Sequence, residues 1–254
     1  MSEQPLACGV IGLGAMGAPM ARRLAQAGFL YGVWNRTRSR AQAVATDTGV
    51  AVAESPAALA RQCRLVLLSV SADAAVEQVI ELLLPGAHAD LTVVDTSTVA
   101  VETARRAAAR LAERGARFLD APVSGGVEGA RDGRLVMMVG GDAAVVDSVR
   151  PALAALSARI VHMGAVGNGQ AAKAVNQIMA AGIVQAVSEA LAFGAAMKLP
   201  MDKLIEAIGL CALHDRVDGG AGNSATGASR EHPVFSTEHK WSDEVLGNII
   251  VNRR

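Results

Sequence analysis

The chain has 254 residues, 51% of them hydrophobic and 19% charged, with 24 Lys plus Arg against 24 Asp plus Glu. That length and apolarity suit a folded protein with a substantial core in one large or two smaller domains, and exclude a chain disordered throughout. The even charge balance gives no electrostatic reason to expect nucleic acid or an acidic membrane surface as a partner. The first predicted element is an apolar strand over residues 6–12. It runs into Gly12-x-Gly14-x-x-Gly17 and an alanine-rich helix over 15–27. This strand–turn–helix setting makes the glycine spacing a dinucleotide fingerprint: Gly12 permits the turn, Gly14 lets backbone approach a pyrophosphate, and Gly17 lets helix and strand pack closely. Leu13, Ala15 and Met16 complete the loop, and the helix N-terminus offers unpaired N–H groups to phosphate.

A second strand, 30–35, ends at Asn35, where an NAD-binding fingerprint usually carries an acid for the ribose 2′-hydroxyl. Here the amide is followed by Arg36, Thr37 and Arg38, a hydroxyl and two guanidinium groups suited to the 2′-phosphate of NADP. NADP is therefore the preferred cofactor on this reading, with NAD the alternative. Further strands are predicted over 65–70, 91–95, 117–120, 135–139 and 159–163, with helices among them over 39–47, 72–84, 99–113 and 143–156. The alternation predicts a Rossmann-type, doubly wound parallel sheet over residues 1–164. Val70, Ser71 and Thr98 fall at strand ends, where open α/β sheets bind ligands, and are expected against the nicotinamide half of the cofactor.

From Gly169 to Lys198 the only charges are Lys173, Glu189 and Lys198, and apolar residues surround the helix on every side. Such a helix is expected to be buried, between domains or between subunits. Its polar interruptions argue against a membrane span. Pro200 opens a short amphipathic helix through Ile208 with Leu204, Ile205 and Ile208 on one side. Residues 165–211 thus begin a helical substrate or dimerisation domain. Residues 212–254 form an atypical tail rich in Gly, Ser and His, expected to be loop or disordered, with an apolar stretch at 245–251. His214, His232 and His239 match no metal-ligand spacing, so no metal is expected. Cys8, Cys63 and Cys211, an odd set without CxxC spacing, fit a reducing compartment, and no signal peptide is visible; the cytoplasm is the expected location.

Three more motifs follow the fingerprint: Asp95-Thr96-Ser97-Thr98, Asp120-Ala121-Pro122-Val123-Ser124-Gly125-Gly126, and Gly164-x-x-Gly167-x-Gly169-x-x-x-Lys173-x-x-Asn176-Gln177. In this order and spacing they resemble the β-hydroxyacid dehydrogenase family, which includes 3-hydroxyisobutyrate dehydrogenase, tartronate semialdehyde reductase and the glyoxylate and succinic semialdehyde reductases. The resemblance covers roughly residues 6–210. It implies reduction of a small aldehyde or keto acid, or the reverse oxidation, in a homodimer or tetramer. A lysine at the start of a nearly uncharged helix has its ammonium pKa lowered by desolvation, which suits Lys173 to be the general acid for reduction. Asn176 and Gln177, one turn on, are equally placed to orient the lysine or the substrate hydroxyl. The resemblance gives Ser124, Gly125 and Gly126 the substrate carboxylate. The imine reductases share the fingerprint and the Asn-Arg-Thr run but generally lack the lysine. The family's later signatures, a Gly-Ser motif and a Lys-Asp-Leu segment, are not recognisable after residue 211, as in a truncated or frame-altered member. A cofactor-binding or oligomerising remnant with an incomplete pocket is therefore the non-enzymatic alternative.

Overall fold

The computed structural model describes residues 6–208. Cys211, the tail at 212–254 with its three histidines, and the 245–251 stretch lie outside the described residues. Two compact units divide between Gln177 and Ile178.

The first unit is built on strands β1 (Cys8–Ile11), β2 (Leu30–Trp34), β3 (Ala51–Val52), β4 (Leu65–Leu68), β5 (Thr92–Asp95), β6 (Arg117–Asp120), β7 (Val123–Ser124), β8 (Leu135–Gly140) and β9 (Ser157–Gly164). Around them lie helices α1 (Gly17–Gln26), α2 (Arg38–Thr48), α3 (Pro56–Gln62), α4 (Asp73–Leu83), α5 (Val101–Ala112), α6 (Gly126–Asp132) and α7 (Ala143–Ala154), and α8 (Asn168–Ala196) leaves the unit. The sheet runs β3-β2-β1-β4-β5-β6-β8-β7, with β9 on β8. All seven predicted strands are present, so the Rossmann-type α/β reading holds.

Period-two alternation along the central strands sends successive side chains to opposite faces. Val10, Leu65, Leu67, Val94 and Leu119 join Met20 and Leu24 of α1 and Val146 and Leu153 of α7 on one face. Ile11, Val66, Leu68, Val93 and Phe118 join Leu59 of α3, Ile80 and Leu83 of α4 and Leu111 of α5 on the other. Both faces are covered, which is why these strands read as continuous apolar runs. Helix α3 begins at a helix-start signal, Ser55-Pro56: the Ser55 hydroxyl accepts the Ala58 N–H, and Pro56 takes the first helical position.

One expectation is corrected. The sheet is not parallel throughout: β8 is antiparallel to β6 and to β7. Its overlap with β6 is the single pair Asp120 and Gly140. Strand β8 therefore projects beyond the carboxyl end of β6, and β7 pairs with it there through Val123 with Met137 and Ser124 with Val136. Strand β9 runs parallel to β8 and brings Gly164 beside Gly140, which delivers the start of α8 to the carboxyl end of β6. The apolar run Leu135–Gly140 is what any buried strand requires, and direction is set by pairing rather than by composition.

Helix α8, expected to be buried between domains or between subunits, is largely exposed within the single chain. Along this helix only Gly169, Gln170, Lys173 and Gly194 are buried. Ile178 is 73% exposed and Phe193 68%. By length and composition α8 could cross a bilayer, with a mean hydropathy of 1.6 over its most apolar window. Covering a helix that is apolar all round needs packing on every side, and the described residues supply it only at these points. In the second unit, Lys198 in the left-handed region (φ 55°) ends α8 and the Leu199 N–H returns to the Gly194 carbonyl. Helical residues 201–208 follow Pro200 as expected, and Leu204 closes on Gly194.

Candidate active site

Strand β1 ends in the fingerprint loop, whose shape comes from close approaches. A Cβ on Gly12 would lie 2.1 Å from the Ser69 carbonyl oxygen, and one on Gly17 only 1.8 Å from the Gly12 carbonyl oxygen. Both positions accept nothing larger than hydrogen. Gly14 is different: a Cβ there would meet nothing within 4 Å. The first two glycines are thus required by the fold, whereas the space over Gly14 is left for something outside it. That is the arrangement a pyrophosphate needs against the backbone of the glycine turn at the positive end of the α1 dipole.

A cleft of about 510 Å³ opens there, lined by Gly12, Gly14, Ala15 and Met16 on one side and by Asn35, Arg36, Thr37 and Arg40 at its far end. Ser69, Val70 and Ser71 line its inner end. Asn35 also ties the cleft together: its Oδ1 accepts the Leu13 N–H at 2.9 Å and its Nδ2 donates to the Thr37 carbonyl at 2.9 Å. Leu13 and Gly17 are buried beneath the loop and shape the cleft without lining it. The second guanidinium on the cleft wall is Arg40 rather than Arg38.

A second cavity of about 440 Å³ shares Met16, Ser69, Val70 and Ser71 with the first and adds Thr98, Ser124, Gly125, Gly126 and Lys173. Residues from four motifs spread over more than 150 positions thus share one chamber. Gly125 has φ 127°, a backbone conformation open to glycine and little else, which turns the chain from β7 into α6. Lys173 is 8% exposed. Burial holds its ammonium below the usual lysine range. It is also the only lysine before residue 198; every other cationic side chain over that span apart from histidine is an arginine, which cannot give up its proton. Asn176 is half-buried and Gln177 exposed, and neither lines the chamber. Asn176 Nδ2 donates to Gln177 Oε1 at 3.3 Å.

The sequence pattern carries the motif residues Asp120 and Asp95 without roles, and the structure places both under the chamber. Asp120 is fully buried at the end of β6; its Oδ1 accepts the Gly167 N–H at 2.7 Å and its Oδ2 the Gln170 N–H at 2.9 Å. Burial raises its pKa, and these backbone donors work against that rise. Asp95 is fully buried beside it; Oδ1 accepts the Ser97 N–H at 2.9 Å, while Oδ2 has no partner among the described residues. Burial pushes this carboxyl up to about 6, with the Ser97 hydroxyl and N–H opposing and the Asp120 charge adding to the rise. Gln170, Ser69 and Trp34 also belong to the site or its frame. Gln170 was detectable only as one of two amides, with Asn168, in the otherwise small-residue first turn of α8.

A family model for the NAD binding domain of 6-phosphogluconate dehydrogenase matches residues 7–167. A second, for the NAD-binding of NADP-dependent 3-hydroxyisobutyrate dehydrogenase, matches residues 167–240 and so extends into the tail that lacks the family's later signatures. An uncharacterised oxidoreductase of Shewanella frigidimarina is 40% identical over 201 residues, which cover 78% of this chain and 69% of that one. Glyoxylate/succinic semialdehyde reductase 1 of Arabidopsis thaliana is 31% identical over 242 residues, 92% of this chain and 82% of the relative. Among solved structures, the Mycobacterium tuberculosis 3-hydroxyisobutyrate dehydrogenase with L-serine superposes with a TM-score of 0.76 at 33% identity, over 81% of this chain and 70% of that one. With the glycine loop, the shared chamber and these matches together, the chain belongs to the β-hydroxyacid dehydrogenase family, as a 3-hydroxyisobutyrate dehydrogenase-like, NAD(P)-dependent oxidoreductase of small organic acids and aldehydes.

Proposed function

We propose that this protein is an NADPH-preferring reductase of a small aldehyde or keto acid, with Lys173 as general acid. The observation that carries the reading is the convergence of Lys173 and Ser124-Gly125-Gly126 on the chamber next to the fingerprint cleft. NADPH held by the Gly12–Gly17 loop and by Arg36, Thr37 and Arg40 would supply the hydride for the substrate carbonyl. The Ser124 hydroxyl and the Gly125 and Gly126 N–H groups hold the substrate carboxylate, and Thr98, Val70 and Ser71 keep water from the nicotinamide side. Lys173 holds a proton at Nζ and releases it to the alkoxide as negative charge develops there, so no free alkoxide forms. Its partial desolvation makes the ammonium a better acid than an exposed lysine. Asn176, or Gln177 beside it, orients the lysine once substrate is present. In the oxidative direction the neutral amine takes the hydroxyl proton.

The preference for NADPH is supported by the far end of the cleft, where Arg36, Thr37 and Arg40 stand and no lining residue is acidic. A charge-assisted hydrogen bond contributes roughly 1.5–3 kcal/mol, a preference of about ten- to hundredfold over NADH. The exposed apolar residues of α8 support assembly as a homodimer or tetramer, and the absence of a disulfide framework in the sequence supports the cytoplasm.

The test is NADPH oxidation by the purified protein with glyoxylate, succinic semialdehyde, tartronate semialdehyde and methylmalonate semialdehyde. Lys173→Ala should lower the rate by about 10²- to 10⁴-fold while leaving NADPH binding intact. NADPH binding without turnover of any of the four would replace this reading with the incomplete-pocket alternative.

A further inference from the structure

Gln170 is 2% exposed and occupies the first turn of α8, three residues before Lys173 on the same helical face. Its side chain points at the loop after β5. Nε2 donates to the Ser97 carbonyl at 2.8 Å, and Oε1 accepts the Val99 N–H at 3.1 Å. The two bonds clamp the residues on either side of Thr98. Ser97 passes the restraint on, since its hydroxyl oxygen accepts the Val70 N–H at 2.9 Å. The Gln170 N–H is itself held by Asp120 Oδ2.

The four residues tied together in this way, Val70, Ser97, Thr98 and Lys173, all line the substrate chamber. The position demands a carboxamide: one donor and one acceptor on a single carbon, at the end of a two-methylene arm. Methionine would fill the space with neither, and an ionised glutamate would accept from Val99 but face the Ser97 carbonyl with negative charge.

We propose that Gln170 is a positioning residue for the reaction, fixing the separation between the proton-donating Lys173 and the Thr98 and Val70 walls against which the nicotinamide lies. The inference rests on the reductase reading above. Misplacing reacting groups by about 1 Å costs on the order of a hundredfold in rate, so the effect belongs in kcat.

The experiment compares the full-length wild type with Gln170→Met and Gln170→Glu, using the aldehyde acid that the wild type reduces fastest and NADPH deuterated at the transferred position. Gln170→Met should lower kcat about 10- to 100-fold with KM within about threefold, and should raise the isotope effect as hydride transfer becomes slower. Gln170→Glu should regain rate as pH falls and its carboxyl acquires the missing donor, a dependence absent from the wild type. A Gln170→Met enzyme with wild-type kcat and isotope effect, whatever its melting temperature, overturns the proposal and leaves the reductase reading standing. A wild type that reduces none of the acids overturns that reading instead. Gln170 is then judged without turnover, from the NMR titration of Lys173 carrying ¹³C-methyl groups and assigned by its loss in Lys173→Ala. A titration midpoint that rises in Gln170→Met sustains the positioning role, and an unmoved midpoint rejects it.

Discussion

Replacing Asp95 with asparagine should stabilise the protein at neutral pH and not in acid. The Asp95 carboxyl is fully buried, with one oxygen on the Ser97 N–H and the other without a partner among the described residues. Burial raises its pKa from 3.8 to about 6. Between those values the folded state holds a proton that the unfolded chain has released, so stability falls as pH rises through the interval. A displacement of about two pH units at 1.36 kcal/mol each amounts to about 3 kcal/mol, fully present as stability below pH 4 and lost above pH 6. Asparagine keeps the acceptor for Ser97 and cannot ionise. The assay is urea unfolding of wild type and Asp95→Asn at half-unit steps from pH 4 to 7.5, read as the difference between the two proteins so that other titrating groups cancel. The difference should move in favour of the variant by about 3 kcal/mol across the interval. A difference that stays flat over this range refutes the reasoning, because it means that Asp95 titrates alike in the folded and unfolded chains.

The glycine loop yields a paired prediction. Gly14→Ala should leave the melting temperature within a few degrees and abolish cofactor binding by calorimetry, since its Cβ meets open space in the protein. Gly17→Ala should damage both, because its Cβ would sit 1.8 Å from the Gly12 carbonyl oxygen. Arg36→Ala and Arg40→Ala should each weaken NADPH binding about tenfold or more with NADH binding nearly unchanged, measured by nicotinamide fluorescence; equal losses for both cofactors would place these arginines away from the 2′-phosphate. Desolvation of Lys173 favours its neutral form, so the rate of reduction should fall on the alkaline side at a pH below the ordinary lysine pKa of 10.5, and that limb should vanish in Lys173→Ala.

What could be read from the sequence was what local chemistry determines. The apolar run into Gly12-x-Gly14-x-x-Gly17 fixed a strand, a turn and a helix, and a lysine in an apolar helix announced a desolvated amine. Other features depend on partners remote in the chain. The direction of β8 is decided by pairing with β6 and β7, and Leu-Val-Met-Met-Val-Gly would read the same either way. Asn35 looked like a pure cofactor contact, yet its amide also braces Leu13 and Thr37. Gln170 and Asp120 hold the site through backbone groups of Ser97, Val99 and Gly167, which side-chain patterns do not reveal. The exposure of α8 within one copy of the chain was not legible either, because composition reports how much cover a helix needs, not whether one copy of the chain provides it.

The reversal at β8 gives the two halves of the site different mechanical character. The far end of the cofactor cleft is walled by the chain that follows β2 into α2, whereas Ser124 sits in a ladder hydrogen-bonded to Val136. An added residue in 121–126 would shift that ladder by one and turn Ser124 to the opposite face. Substrate range on that side is therefore open to change through side-chain replacement and closed to change through loop length. A designer, or natural divergence, could lengthen the turn at Arg36 and Thr37 to retune the cofactor without disturbing the carboxylate site proposed at Ser124-Gly125-Gly126.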